Sequence, residues 1–68
     1  MNSQTTTASP LMEIAQRIRE MRRVTGFTEQ QMAEKTEVSV EQYKAFETGT
    51  VDLPFTFLHK CSLAFGIE

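Results

Sequence analysis

Apolar positions recur along this chain at helical spacing, and capping and turn residues interrupt them at short intervals. Leu11, Ile14, Ile18 and Met21 stand three and four residues apart, which predicts a first helix with those side chains facing inward. That helix is expected to begin near Ser9-Pro10, a capping residue followed by one whose φ is preset for a first turn. Gly26 should end it by taking a left-handed C-cap conformation without steric cost, and Phe27 follows as an apolar anchor. Thr28 then opens a second helix, with Gln31 three residues on in capping-box spacing, and Met32 and Ala33 pointing inward. Ser39 opens a third helix in which Gln42 repeats the box, Tyr43 and Phe46 face inward and Gly49 is the stop. After a loop over 50–53, Pro54 is read as a first-turn proline of a fourth helix that runs to Phe65 and is capped by Gly66. Its inner stripe is expected to be Phe55, Leu58, Cys61 and Phe65, with Ser62 beside it and Phe57, Leu63 and Ala64 off it. The pattern predicts an all-α chain, preceded over 1–10 by a polar, flexible N-terminal arm, MNSQTTTASP.

The stretch from Gly26 to Gly49 carries the most information. Two short capped helices about three residues apart, with the small Ala33 where they cross and Val38 plugging the turn, form the arrangement that holds a recognition helix rigidly against a DNA groove.

Size and composition narrow the alternatives. Sixty-eight residues make one small domain, which buries only about 60% of its unfolded surface and depends on good helix packing or a partner. No apolar run approaches the ~20 residues of a membrane span, and the N-terminus lacks the basic-then-apolar pattern of a signal peptide. The single cysteine, Cys61, excludes an intramolecular disulfide and a cysteine-based zinc cluster, fits a buried small hydrophobe, and points to a reducing, cytoplasmic compartment. His59 has no second ligand within a helical turn. With no phosphate-cradling glycine loop, nucleophile–base pair or metal spacing, an enzyme is not expected, nor is a cofactor.

Charge is distributed unevenly. The net formal charge is −2 and the isoelectric point about 5.3, which supplies no overall attraction for nucleic acid. Between Leu11 and Gly26, however, four arginines (17, 19, 22 and 23) face two glutamates, whereas between Phe27 and Asp52 two lysines face six acids. The basic first helix is therefore the part expected to reach phosphates, if any part does.

The segments RIREMR (Arg17 to Arg22), GFTEQQMAEKTEVS (Gly26 to Ser39), FETG (Phe46 to Gly49) and LAFGI (Leu63 to Ile67) together resemble the Cro/repressor-type helix-turn-helix family of transcriptional regulators. The resemblance spans roughly Ile14 to Ile67. It implies a compact, lambda-repressor-like domain of four to five helices over 11–68, with the motif at about 29–48 and the recognition helix at about 40–48. It also implies double-stranded operator DNA as partner, bound by a homodimer on a palindromic site. Val40, Glu41 and Ala45 would then face bases, flanked by Gln42 and Lys44. Ser39 would open the recognition helix, Thr28 and Glu29 would meet a phosphate through the free amides of the second helix, and Thr48 and Thr50 would approach the backbone from the other side. Arg17 matches a backbone-contacting position, while Arg22 and Glu47 match a pair that ties the first helix to the third.

Four positions depart from the family pattern. Glu29 stands where an uncharged glutamine is favoured, and a carboxylate cannot donate to phosphate. Glu41 occupies a readout position, where it suits a cytosine amino group but meets phosphate repulsion. The loop over 50–53 has no Lys or Arg and carries Asp52, which removes phosphate neutralisation. Glu37 occupies a turn position where glycine is preferred, at a cost of ~1 kcal/mol if φ there is positive.

The apolar fourth helix suggests that further protein covers it, and the chain is expected to be the N-terminal part of a longer protein, with a self-associating short form as the alternative; in longer members of the family it resembles, a C-terminal sensory domain commonly follows. The leading expectation is thus a sequence-specific DNA-binding domain; the alternative is a helix-turn-helix-fold protein-interaction or dimerisation module with weak or no DNA binding.

Overall fold

The computed structural model describes residues 10–67. Within them the chain forms four helices: α1 (Pro10–Thr25), α2 (Glu29–Thr36), α3 (Val40–Thr48) and α4 (Phe55–Phe65). The expected cap at Ser9 and the arm over 1–9 lie outside the described residues, and Pro10 begins α1.

Local chemistry sets the boundaries. At the start of α2 the Thr28 hydroxyl accepts from the Gln31 amide at 3.0 Å, and the Gln31 side chain accepts from the Thr28 amide at 2.9 Å. This satisfies two otherwise orphaned donors reciprocally. Ser39 performs half of that task for α3, accepting from the Gln42 amide at 3.0 Å; no answering bond from the Gln42 side chain accompanies it, so the second box is a single cap. Gly49 ends α3 at φ 77°, and a Cβ built there would lie 3.0 Å from Cα of Met12. Glycine is therefore required both by the left-handed turn and by the close passage of α1. Pro54 stands one residue before its expected place: it is the N-cap of α4, and the helix starts at Phe55.

The core is built from Ile18 of α1, Met32 and Ala33 of α2, Tyr43 and Phe46 of α3, and Phe57 and Cys61 of α4, with Phe27, Val38 and Leu53 packed against it. Both α1 and α2 pack on α3 and on α4. The near-complete burial of Ala33 and the half-burial of Val38 follow the expected roles of small contact residue and plug. Thr36, also buried, returns its hydroxyl to the Met32 carbonyl at 2.7 Å, which makes a polar residue tolerable in the interior.

Two inward assignments are corrected. Ile14 is 40% exposed and Ala15 is fully buried in its stead, because α1 turns its small residue toward its neighbours and leaves Ile14 at the rim of a groove beside α4. Phe55 is 79% exposed, whereas Phe57, expected off the stripe, is buried. The rotation of α4 follows the aromatic cluster: the Phe57 ring lies 4.3 Å from that of Phe46 and 5.9 Å from that of Tyr43. Phe55 instead stacks on His59 at the surface, with ring centroids 6.3 Å apart.

Candidate nucleic-acid interface

Helix α3 is held from its C-terminal end. Glu47 is buried, and its carboxylate accepts from Arg22 Nε at 2.7 Å and from Arg22 Nη2 at 3.3 Å. The fork-to-carboxylate geometry adds direction to charge. Arg22 also donates to the Phe27 carbonyl at 3.3 Å, so one guanidinium links α1, the turn before α2, and α3. Arg19, one turn earlier on α1, donates to the Glu47 backbone carbonyl. That bond satisfies one of the acceptors that a helix C-terminus leaves open. Arg19, counted from the sequence among the basic side chains of the first helix expected to reach phosphates, is thus committed to the end of α3.

This polar cluster sits against the core. The hydrogen bond that Arg22 donates to Glu47, opposed by burial, raises the Arg22 guanidinium above its ordinary range, so Arg22 keeps its charge. Burial, reinforced by the Glu47 carboxylate, pushes the Tyr43 phenol well above its ordinary value of 10.0. Tyr43 feels that charge while its hydroxyl stays outside hydrogen-bond geometry with any partner among the described residues. Burial, with a smaller contribution from Glu47, likewise drives the Cys61 thiol from 9.0 to about 12. Cys61 is accordingly a protonated core side chain and a poor nucleophile.

With Tyr43, Phe46 and Glu47 turned inward, helical geometry directs Glu41, Ala45 and Thr48 outward at i, i+4 and i+7. Lys44 and Gln42 flank this row and are exposed, and Ala45 is half-buried. Val40 is partly tucked against the core, so less of it is presented than of Glu41. The Thr48 hydroxyl donates to the Ala45 carbonyl at 2.5 Å and lies 2.6 Å from that of Thr50, which shapes the exit from α3. At the other end of the motif, Thr28 and Ser39 spend their side-chain oxygens on caps. Glu29 is half-buried, and its charge reaches Arg22.

The turn between α2 and α3 departs from ordinary backbone at Glu37, with φ 63° and ψ 42°. The Val38 amide donates to the Ala33 carbonyl at 3.0 Å, closing the helix end in the manner of a Schellman turn. The Glu37 carboxylate takes Lys60 Nζ of α4 at 2.9 Å, which neutralises one of the acids of the motif. Lys35 lies 4.6 Å over the Phe27 ring, a cation–π contact that anchors the start of the motif from behind.

Arg17 is not brought to this surface. Two residues advance about 200° around a helix, so Arg17 points away from the side of α1 on which Arg19 meets α3. It lines the groove between α1 and α4. Among the described residues no cluster of His, Cys, Asp and Glu is suited to holding a metal ion, and no helix is long and apolar enough to cross a membrane.

A family model of a helix-turn-helix domain matches residues 15–68, and the chain belongs to that family. Membership accords with the resemblance to Cro/repressor-type proteins, and it suggests a DNA-binding regulator in a family that is typically non-enzymatic. A search of curated proteins found no match.

Proposed function

We propose that this domain binds double-stranded DNA sequence-specifically as part of a transcriptional regulator, with α3 in the major groove and two copies on a palindromic operator. The observation that carries the reading is the fixation of α3: its inner face is set by Tyr43 and Phe46 and its end by the Arg22–Glu47–Arg19 cluster, while the row Glu41, Ala45 and Thr48 stays outward. A recognition helix must be held in this way if its side chains are to discriminate base edges. In this reading Glu41 accepts from a cytosine amino group, Gln42 and Lys44 flank it, and Ala45 keeps the backbone close to the groove floor. The first amides of α2, beside Thr28 and Glu29, meet a phosphate. No phosphate is assigned to Arg17, because its side of α1 is turned away from α3.

The test is a titration of the chain against random-sequence duplex at low and raised salt, followed by selection of bound sequences. Binding that weakens steeply with salt, with Glu41→Ala altering the selected bases, supports the reading. Absence of binding even at low salt overturns it. That outcome would leave the protein-interaction module, a reading favoured by the exposed acids Glu41 and Asp52 on and beside α3.

A further inference from the structure

The outward row of α3 has a defined hydrogen-bond character. Glu41 ends in a carboxylate, which only accepts, and the ion pairs among the described residues, Arg22–Glu47 and Lys60–Glu37, leave it uncommitted. Ala45 ends in a methyl group. Thr48 gives its hydroxyl proton to the Ala45 carbonyl at 2.5 Å, so across the 2.6 Å contact with Thr50 it is Thr50 that donates. The Thr50 amide also donates to the Thr48 oxygen, at 3.2 Å. Neither hydroxyl therefore has a proton left for a DNA acceptor, and the methyl group is the part of Thr48 that stays uncommitted. The exposed donors Gln42 and Lys44 stand beside the row, not in it.

From Glu41 toward Thr48 the row thus offers an acceptor followed by two methyl groups. Its complement in the major groove is an amino group with an apolar group beside it. Thymine carries its methyl next to an oxygen, which sets an acceptor against the Glu41 carboxylate. Adenine carries its amino group next to the N7 acceptor and has no methyl, and cytosine has the amino group alone. A cytosine methylated at C5 places a donor and a methyl group side by side. Cβ atoms at i and i+4 are about 5–6 Å apart. A methyl group can therefore rest on Ala45 while the longer Glu41 side chain reaches the amino group next to it.

We infer that α3 reads the C5 edge of a cytosine, and that this domain binds DNA methylated at that carbon in preference to the unmodified duplex. Glu41 accepts from the cytosine amino group, and the C5 methyl lodges against Ala45 and the methyl of Thr48. The inference rests on the reading that places α3 in the major groove, and it goes further by naming the chemical state of the base. The methylation state of the bound site then sets its occupancy.

Selection from a random duplex pool with the parent chain and with Glu41→Ala first locates the cytosine whose preference depends on Glu41. Duplexes carrying cytosine, 5-methylcytosine or thymine at that single position are then titrated against the chain. The 5-methylcytosine duplex should bind about fourfold more tightly than the cytosine duplex, the factor for burying one methyl-sized group. Thymine should bind more weakly than both. Thr48→Ser keeps the hydroxyl and its bonds but removes the methyl, and should lower the ratio of methylated to unmodified binding. Ala45→Gln, with a residue well suited to a helix, fills the space and should bring that ratio to one or below, with unchanged helical circular dichroism. Selected sites without such a cytosine, a methylated duplex that binds no better, thymine that matches 5-methylcytosine, or a ratio that both variants leave unchanged each overturn this inference and leave the DNA reading standing. Absence of binding to every duplex sinks the DNA reading, and this inference with it.

Discussion

The Glu47 carboxylate receives two nitrogens of Arg22 while its own backbone carbonyl receives Arg19, so one residue of α3 is gripped by two arginines of α1 a turn apart. The side chain of Glu47 is 5% exposed and that of Arg22 16%, which removes most solvent screening from the pair. Removing either partner leaves a buried charge without its counterpart.

Glu47→Ala and Arg22→Ala should therefore each destabilise the domain by ~3 kcal/mol or more, enough to unfold much of a chain this small. Chemical denaturation of the two single variants and of the double variant reads this directly. The double variant should lose less than the sum of the two, and full additivity would show that the residues act independently.

Glu37 is the only non-glycine residue with positive φ among the described residues. A side chain in the left-handed region costs ~1 kcal/mol, so Glu37→Gly should stabilise the domain by about 0.5–1 kcal/mol even though it gives up Lys60. The exposed Glu37–Lys60 pair contributes little, and Lys60→Ala should change stability by less than ~0.5 kcal/mol. A lower denaturation midpoint for Glu37→Gly than for the parent would refute the strain argument.

Two phenylalanines on α4 should respond in opposite ways. Phe57→Ala empties the space against Phe46 and Tyr43 and should cost ~3–5 kcal/mol. Phe55→Ala removes a ring that is 79% exposed and should leave the thermal midpoint almost unchanged. Equal losses from the two variants would mean that α4 is rotated from the orientation described.

Stability should fall as the solution becomes alkaline. Both Cys61 and Tyr43 have raised values in the folded chain, so the unfolded chain ionises first. Their protonated forms favour folding fully below pH 9, and that contribution declines as pH rises past 9.0 for Cys61 and 10.0 for Tyr43. For Cys61 the decline levels off near pH 12. Denaturant midpoints measured between pH 8 and 11 should show the fall, and Cys61→Ala should flatten the portion that begins near pH 9. A Cys61→Ala profile parallel to that of the parent would contradict the assignment.

Much of this architecture is legible in the sequence because it depends on local chemistry. Thr28 with Gln31, Ser39, Gly26, Gly49 and Gly66 act within one turn of where they stand, so caps and stops can be read from neighbours alone. The same holds for the inward positions Met32, Ala33, Tyr43 and Phe46, where short helices leave little choice of face. The resemblance to a known family brought Arg22 and Glu47 together, 25 residues apart, where spacing carries no signal. Arg19 was missed because its partner is a backbone carbonyl, an acceptor present at every position and so invisible in a sequence.

The order of helices, their caps and the inward residues Tyr43 and Phe46 of α3 were thus determined by the sequence itself. Tertiary packing decided the rest: which way α1 and α4 turn, and hence that Ile14 and Phe55 face outward, Ala15 and Phe57 face inward, and Arg17 lines the groove between α1 and α4. A helix with apolar residues on more than one phase has several possible inner faces of similar hydrophobicity. Only the fit of the Phe46, Phe57 and Tyr43 rings and the close passage of Met12 over Gly49 choose among them.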